Sequence, residues 1–306
     1  MISSSSMGTM CITPFRSDGS VDGELLRTHL EHLGTFDLSI YLCSQGSGEG
    51  LSLAPEEKEE VYRIGAEVLG GRREVVGAGI GLTGDTDSAL ALVRRLSVTG
   101  VDAIQVFPPR TGALRPKDRE IVRYYDEVVS VSECPVVLGE NVTLVGYELG
   151  PKVVTEVIER HPEIVGLSYT VPLAGLGALA DIIGRLRDRV AIRVGLVHHL
   201  VNVAALGGAG VLCFDGNVAP GLVADVWQGT LDGDPELLDK LRVLFLLNAE
   251  LARFGNPASL KAALAHIGRD GGALRRPFLG LDDKQRAELA AGLDRLLQDP
   301  RFDRWL

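Results

Sequence analysis

Polar residues able to do chemistry gather at the ends of short apolar runs. Ser47, Arg110, Glu140, Asn141, Ser168, Tyr169, His198, His199, Cys213 and Asp215 all stand where a Val-, Ile- or Leu-rich segment gives way to a turn. Arg110 can grip a carboxylate through two parallel hydrogen bonds; the plain alternative is a solvated loop charge. Glu140 is a candidate general base if burial raises its pKa, and otherwise an exposed loop carboxylate. Tyr169 is a candidate proton donor or simply a packed ring. Ser168 with a nearby His resembles half of a Ser–His pair, but nothing supplies an orienting acid. His198 and His199 are adjacent, so their rings point apart and a shared metal is disfavoured. Together the set suits a small anionic or hydroxylated ligand, with Asn141 and Cys213 among its contacts.

Those residues need strands to carry them. The short apolar runs end in Gly, Pro or Asn and read as buried parallel strands. The sequence predicts eight, over 7–15, 38–46, 74–81, 103–109, 135–141, 163–169, 190–196 and 209–217. Amphipathic stretches lie between them, among them 55–68, 86–98 and 151–160. The first of these opens with Glu56, Glu57, Glu59 and Glu60, which suits the positive end of a helix dipole. Strand and helix in strict alternation point to a closed parallel (β/α)₈ barrel. An open doubly wound sheet would show a Gly-rich phosphate fingerprint after its first strand. Here that strand ends in Thr13-Pro14-Phe15. Further helices are expected over 221–229, 235–254, 258–267 and 282–297. The expected layout is a flexible leader over 1–6, the barrel over 7–225, and a helical extension over 226–306 packed on it. His29 and His32, on the first helical stretch, read as surface residues.

Composition narrows the partners. The chain has 306 residues, a formal charge of −10, and 45% hydrophobic against 24% charged residues. No basic patch appears, so nucleic acid and anionic membrane surfaces are poor partners. No apolar stretch approaches the roughly 18 residues that a spanning helix needs, and the start MISSSSMGTM does not read as a secretory signal. Cys11, Cys43, Cys134 and Cys213 form no CxxC pair and read as free thiols of a cytoplasmic protein. No metal and no cofactor is expected.

Gln45-Gly46-Ser47-Gly48-Glu49, then Leu51-Ser52-Leu53 and Pro55-Glu56-Glu57, resembles the Gly-Thr-Thr-Gly-Glu loop and Leu-Thr-x-Glu-Glu helix start of the dihydrodipicolinate synthase / N-acetylneuraminate lyase family. Thr13-Pro14-Phe15, Gly216-Asn217-Val218-Ala219-Pro220, Gly255-Asn256-Pro257 with Lys261, and Arg276-Pro277 fall in family order. The resemblance implies the barrel, a substrate carboxylate held by the loop at Gly46, Ser47 and Gly48, and a homo-dimer or homo-tetramer. It also implies imine chemistry on a lysine ending the sixth strand, in a pattern like Ile-Val-Gly-Ile-Lys.

This chain reads Ile164-Val165-Gly166-Leu167-Ser168, so a hydroxyl stands at the lysine position, and a hydroxyl cannot form an imine. The family's proton-shuttling Tyr aligns with Gly139, or with Glu140 if Asn141 sets the match. The Arg that clamps a second carboxylate aligns with Leu144 or Val145, and a Pro-Tyr-Tyr turn becomes Pro109-Arg110-Thr111. Lys58, Lys117, Lys152, Lys240, Lys261 and Lys284 all fall in helical or loop patterns. The expectation is a barrel acting on a small oxo-acid or related anionic metabolite. Its lyase, dehydratase or isomerase chemistry would use acid–base groups, with Glu140, Tyr169, Ser168 and His198 as catalytic candidates. A catalytically inactive homologue that binds a ligand or a subunit is the alternative. Ordinary pyruvate-dependent aldolase activity is disfavoured by the absent amine.

Overall fold

The computed structural model describes residues 5–112, 114–170, 172 and 175–306. Eight parallel strands close into a barrel in chain order. They are β1 (Gly8–Met10), β2 (Ser39–Leu42), β3 (Val75–Ile80), β4 (Ala103–Val106), β5 (Val136–Asn141), β6 (Ile164–Thr170), β7 (Ala191–Gly195) and β8 (Gly210–Cys213). β1 pairs with both β2 and β8, which closes the ring. Helices α1 (Gly23–Leu33), α2 (Pro55–Leu69), α3 (Thr86–Leu96), α4 (Asp118–Ser130), α5 (Val142–Val145), α6 (Pro151–Arg160), α7 (Leu176–Leu186) and α8 (Leu200–Leu206) connect the strands. α9 (Pro220–Asp232), α10 (Leu237–Ala252), α11 (Ala258–His266), α12 (Asp283–Leu297) and α13 (Phe302–Trp305) follow them. The eight expected strands are the eight observed.

The strands are apolar on both faces because both faces are covered. Tyr41, Val76, Ala78, Ala103, Val137 and Leu212 fill the lumen, while alternate residues such as Leu138, Leu167 and Tyr169 pack under the helices. Local chemistry starts the helices where the sequence places them. The Asp22 carboxylate accepts from Leu25 N at 3.2 Å to cap α1, and Asp85 accepts from Ser88 N at 2.8 Å to cap α3. Pro55 opens α2, and Glu57 reaches back to accept from Ala54 N at 2.8 Å.

Three expectations change on contact with the structure. Residues 1–4 of the expected leader lie outside the described residues, but Ser5 and Ser6 are tied down. Ser6 N donates to Ala209 O at 2.8 Å, and Trp227 Nε1 donates to Ser5 Oγ at 3.1 Å. His29 is buried, not on the surface. Its Nε2 bonds Asn217 Oδ1 at 3.1 Å, and burial lowers its pKa to about 4. His32 is half-buried against Phe36. The expected boundary between 225 and 226 falls inside α9.

The helical extension reaches back to the strand ends. Lys261 Nζ, on α11, donates to Thr13 O at 2.9 Å and pairs with Glu49 Oε1 at 2.7 Å. The opposite end of the lumen is closed by an ion pair. Arg193 of β7, 1% exposed, meets Glu74 through Nη1–Oε1 at 2.9 Å and Nη2–Oε2 at 3.1 Å. It also donates to Ser6 O, Ser6 Oγ and Ser39 Oγ at 3.0–3.1 Å. Such a pair is tolerated inside a barrel because nearly every donor is matched.

Candidate functional site

A cavity of about 230 Å³ opens at the carboxyl ends of the strands, the end where barrels of this kind place their chemistry. It lies below the roughly 300 Å³ at which drug-sized pockets begin, so it suits a small metabolite. Its apolar wall comes from Met10, Phe107, Leu144, Leu196 and Leu212, and its polar wall from Ser44, Gln45, Gln105, Asn141, Ser168 and Thr170. Among the described residues, Tyr41 and Glu140 are the ionisable side chains on its lining, and no lysine is among them. A larger groove of about 550 Å³ runs between α1 and α2, but it is an open surface cleft lined by ion-paired Arg and Glu residues. We take the strand-end cavity as the site because its polar groups converge.

Strand register decides which candidates reach it. Gly139 pairs with Ser168 and Asn141 with Thr170, and both pairs face the lumen. Glu140 and Tyr169, also partners, occupy the alternate register. Tyr169 therefore packs in the helix-side core, and burial together with the charge of Glu140 raises its pKa. Glu140 borders the cavity while its Oε1 accepts from Leu149 N at 3.5 Å. Burial drives its pKa from 4.5 to about 8, with Glu148 adding to the shift and the Leu149 hydrogen bond opposing it. At neutral pH Glu140 is largely protonated. Ser168 Oγ is buried beside the Tyr41 hydroxyl, with no other side-chain partner. Asn141 Oδ1 accepts from Thr143 N at 3.0 Å and starts α5.

The loop after β2 is held by its own backbone. Gly48 N donates to Ser44 Oγ at 3.2 Å, and Gly48 O accepts from Thr13 Oγ1 at 2.8 Å. A Cβ on Gly48 would lie 2.7 Å from Ser44 N, so only glycine fits. Gly46 lines the cavity, whereas Ser47 is fully buried with its Oγ accepting from Asn256 Nδ2 at 2.9 Å. Cys43, Glu49 and Leu196 are the non-glycine residues with positive φ among the described residues, at 56°, 49° and 76°. Leu196 lies on the cavity lining, and Cys43 and Glu49 bracket the loop that brings Ser44, Gln45 and Gly46 to it; backbone strain of this kind concentrates at working sites.

The remaining candidates lie off the lining. Arg110 is exposed, its main chain pinned by N–H donation to Thr83 O at 2.9 Å. His198 is exposed and stacks on Phe245 of α10 with ring centroids 5.8 Å apart. Cys213 follows lumen-facing Leu212 and so turns toward the helices; burial lifts its thiol pKa well above the usual range. Asp215 is buried, accepts two bonds from Asn248 Nδ2 at 3.0 and 3.1 Å, and is raised to about 6 by burial. Lys58 and Lys261 are the buried lysines near the strand ends. Lys58 Nζ donates to Gly79 O at 3.1 Å, and Lys261 is occupied by Glu49. Among the described residues, no group of three or more His, Cys, Asp or Glu could hold a metal ion. Nor is any described helix long and apolar enough to cross a membrane.

Sequence reasoning passed over Tyr41, Ser44, Gln105 and Thr170, and met Gln45 only as the first residue of the loop motif. The available signal was a polar residue inside an apolar strand, as in Ser39-Ile40-Tyr41-Leu42 and Ala103-Ile104-Gln105-Val106.

Comparison with known proteins agrees with this architecture. The model of the dihydrodipicolinate synthetase family matches residues 3–296. A 4-hydroxy-tetrahydrodipicolinate synthase of Methanothrix thermoacetophila is 30% identical over 282 residues, covering 91% of this chain and 92% of that protein. An uncharacterized DapA-like lyase of Rhizobium meliloti is 29% identical, covering 93% of each chain. Dihydrodipicolinate synthase from Aquifex aeolicus shares the fold at a TM-score of 0.85 and 24% identity, over 95% of this chain and 97% of that one. A Sulfolobus solfataricus 2-keto-3-deoxygluconate aldolase variant does so at 0.85 and 23%, over 98% and 99%.

Proposed function

We propose that this chain, which belongs to the dihydrodipicolinate synthetase family, enolises a small 2-oxo acid or a related anionic metabolite without forming an imine. The observation that carries this reading is the strand-end cavity itself. It is open and polar on one wall, it is bordered by the buried carboxyl group of Glu140, whose pKa burial raises, and Ser168 stands where the resemblance puts the nucleophilic lysine.

Enolisation is the step shared by lyase, dehydratase and isomerase reactions of oxo-acids. The ionised fraction of Glu140 takes a proton from the carbon beside the carbonyl. The C–H electron pair becomes a C=C bond, and the carbonyl π pair moves to oxygen. A group that releases its proton near pH 8 can return it readily, which suits reversible transfer. The amide of Gly46, on the cavity lining, provides a donor for the carboxylate of the substrate, while Gly48 shapes the loop. A ligand-binding role without turnover is the second reading, favoured by Arg110, Tyr169 and His198 standing off the cavity.

The test is hydrogen–deuterium exchange at the methyl group of pyruvate in D₂O, followed by proton NMR. Exchange that depends on protein and is lost in Glu140→Gln supports enolisation. Absence of exchange, with pyruvate or oxalate still bound, supports the second reading.

A further inference from the structure

One of the side chains lining the cavity crosses the barrel. Tyr41 points inward from β2, where Gly8 of β1 makes room for its ring; a Cβ on Gly8 would stand 3.1 Å from Tyr41 Cε2. Its hydroxyl reaches the β6–β7 side, accepts a hydrogen bond from Arg193 Nη1 at 3.3 Å, and lies beside Ser168 Oγ. Arg193 cannot swing away, because Glu74, Ser6 and Ser39 hold its remaining nitrogens. Arg193 fills an acceptor site on the Tyr41 oxygen, so the Tyr41 hydrogen is left to be donated to the neighbouring Ser168 Oγ or to a ligand oxygen. Ser168 Oγ, 3% exposed as a residue, has no side-chain partner beyond the adjacent Tyr41 hydroxyl. The two adjacent hydroxyls carry two hydrogens and only one can be spent between them, so a ligand oxygen in the open cavity completes the set.

We propose that Tyr41 and Ser168 form the oxygen-binding pair of this cavity, gripping the carbonyl oxygen of a small 2-oxo acid and holding the charge it gains on enolisation. The assignment rests on the enolising reading above. As Glu140 takes the carbon-bound proton, the two hydroxyl hydrogens bond the oxygen that receives the π pair; no electrons leave the system, and the reverse step restores the ketone. Preformed donors aimed at a developing oxyanion lower its energy most in a site sheltered from water. Burial raises the pKa of Tyr41, so it remains a donor throughout the neutral range. Arg193 is a positioning residue here: it orients and polarises the Tyr41 hydroxyl without touching the ligand. The small side chain at 168 is part of the design, since a long one would meet the Tyr41 hydroxyl.

The experiment uses the full chain, pyruvate exchange and calorimetric binding of oxalate, whose paired carboxylates imitate an enolate. Tyr41→Phe should slow exchange at least about a hundredfold and weaken oxalate binding at least about tenfold, with the near-ultraviolet circular dichroism unchanged. Ser168→Ala, which removes one oxygen from a small residue, should lower both by a smaller factor and guards against a folding defect in the tyrosine variant. Wild-type response with both variants equal to it would overturn this assignment alone. Oxalate binding lost in Tyr41→Phe, in a wild type that shows no exchange, would support the pair while removing the enolising reading. A wild type that neither exchanges nor binds oxalate would overturn both.

Discussion

Gly139 and Phe107 share one space: a Cβ on Gly139 would lie 2.9 Å from the Phe107 ring. The resemblance sets the family's proton-shuttling tyrosine against Gly139 when the strand is matched without a gap. In this barrel the ring of Phe107, one residue past the end of the neighbouring strand β4, lies over that position. Restoring the tyrosine alone must therefore overpack the strand ends. Gly139→Tyr should destabilise the protein by about 1–3 kcal/mol in urea unfolding. Gly139→Tyr combined with Phe107→Ala should recover much of that loss, and strict additivity of the two single changes would contradict the shared space.

Glu140 should make stability and activity depend on pH in opposite ways. Its folded pKa is about 8 against an ordinary 4.5, so the native state holds the proton more tightly than the unfolded chain. That contribution to stability is complete below the unfolded value and is lost as pH rises through about 8. Exchange activity should rise over the same interval, because the carboxylate is the base. Glu140→Gln, an imitation of the protonated acid, should melt with a flatter dependence between pH 5 and 9 and show no exchange. Thermal unfolding and pyruvate exchange measured across that range check the two signs.

The barrel was legible because all eight strands are short apolar runs separated by amphipathic helices. Their ends were not. β2 was expected to run to residue 46 but stops at Leu42, where Cys43 turns to φ 56° and breaks the ladder. The last strand, expected to reach 217, ends at Cys213, and Asp215–Asn217 forms a 3₁₀ turn. Register was hidden for a related reason. A strand buried on both faces carries no alternation to say which residues point inward. Ser168 and Asn141 could be placed at strand ends, but whether Glu140 and Tyr169 shared their face could not be read. Tyr41 and Gln105 were hidden in the same way, as polar residues inside strands that looked uniformly apolar.

Leu196 combines strain with exposure. Its φ of 76° is disfavoured for a side chain, yet it is 47% exposed on the cavity rim. Leu196→Gly should raise stability by about 0.5–1 kcal/mol through relief of that strain and weaken oxalate binding several-fold. Leu196→Ala keeps the backbone conflict and should give no gain. Denaturant midpoints for the two variants separate strain from side-chain packing.

The Lys261–Glu49 pair links the helical extension to the loop after β2. Both side chains are almost fully buried, and Lys261 also donates to Ala273 O at 2.7 Å. Lys261→Met leaves the Glu49 carboxylate buried without its cation and should cost about 3–5 kcal/mol in urea unfolding. Lys261→Met with Glu49→Gln should cost clearly less, because the stranded charge is gone. Equal losses in the two would refute the pairing as the source.

Borohydride reduction in the presence of pyruvate, followed by intact-mass measurement and peptide mapping, tests the central claim most directly. The account predicts no pyruvate adduct on the wild-type chain under conditions in which the pyruvate methyl protons still exchange. A stable adduct on any lysine, above all Lys58 or Lys261 near the strand ends, would mean that a primary amine does the chemistry after all.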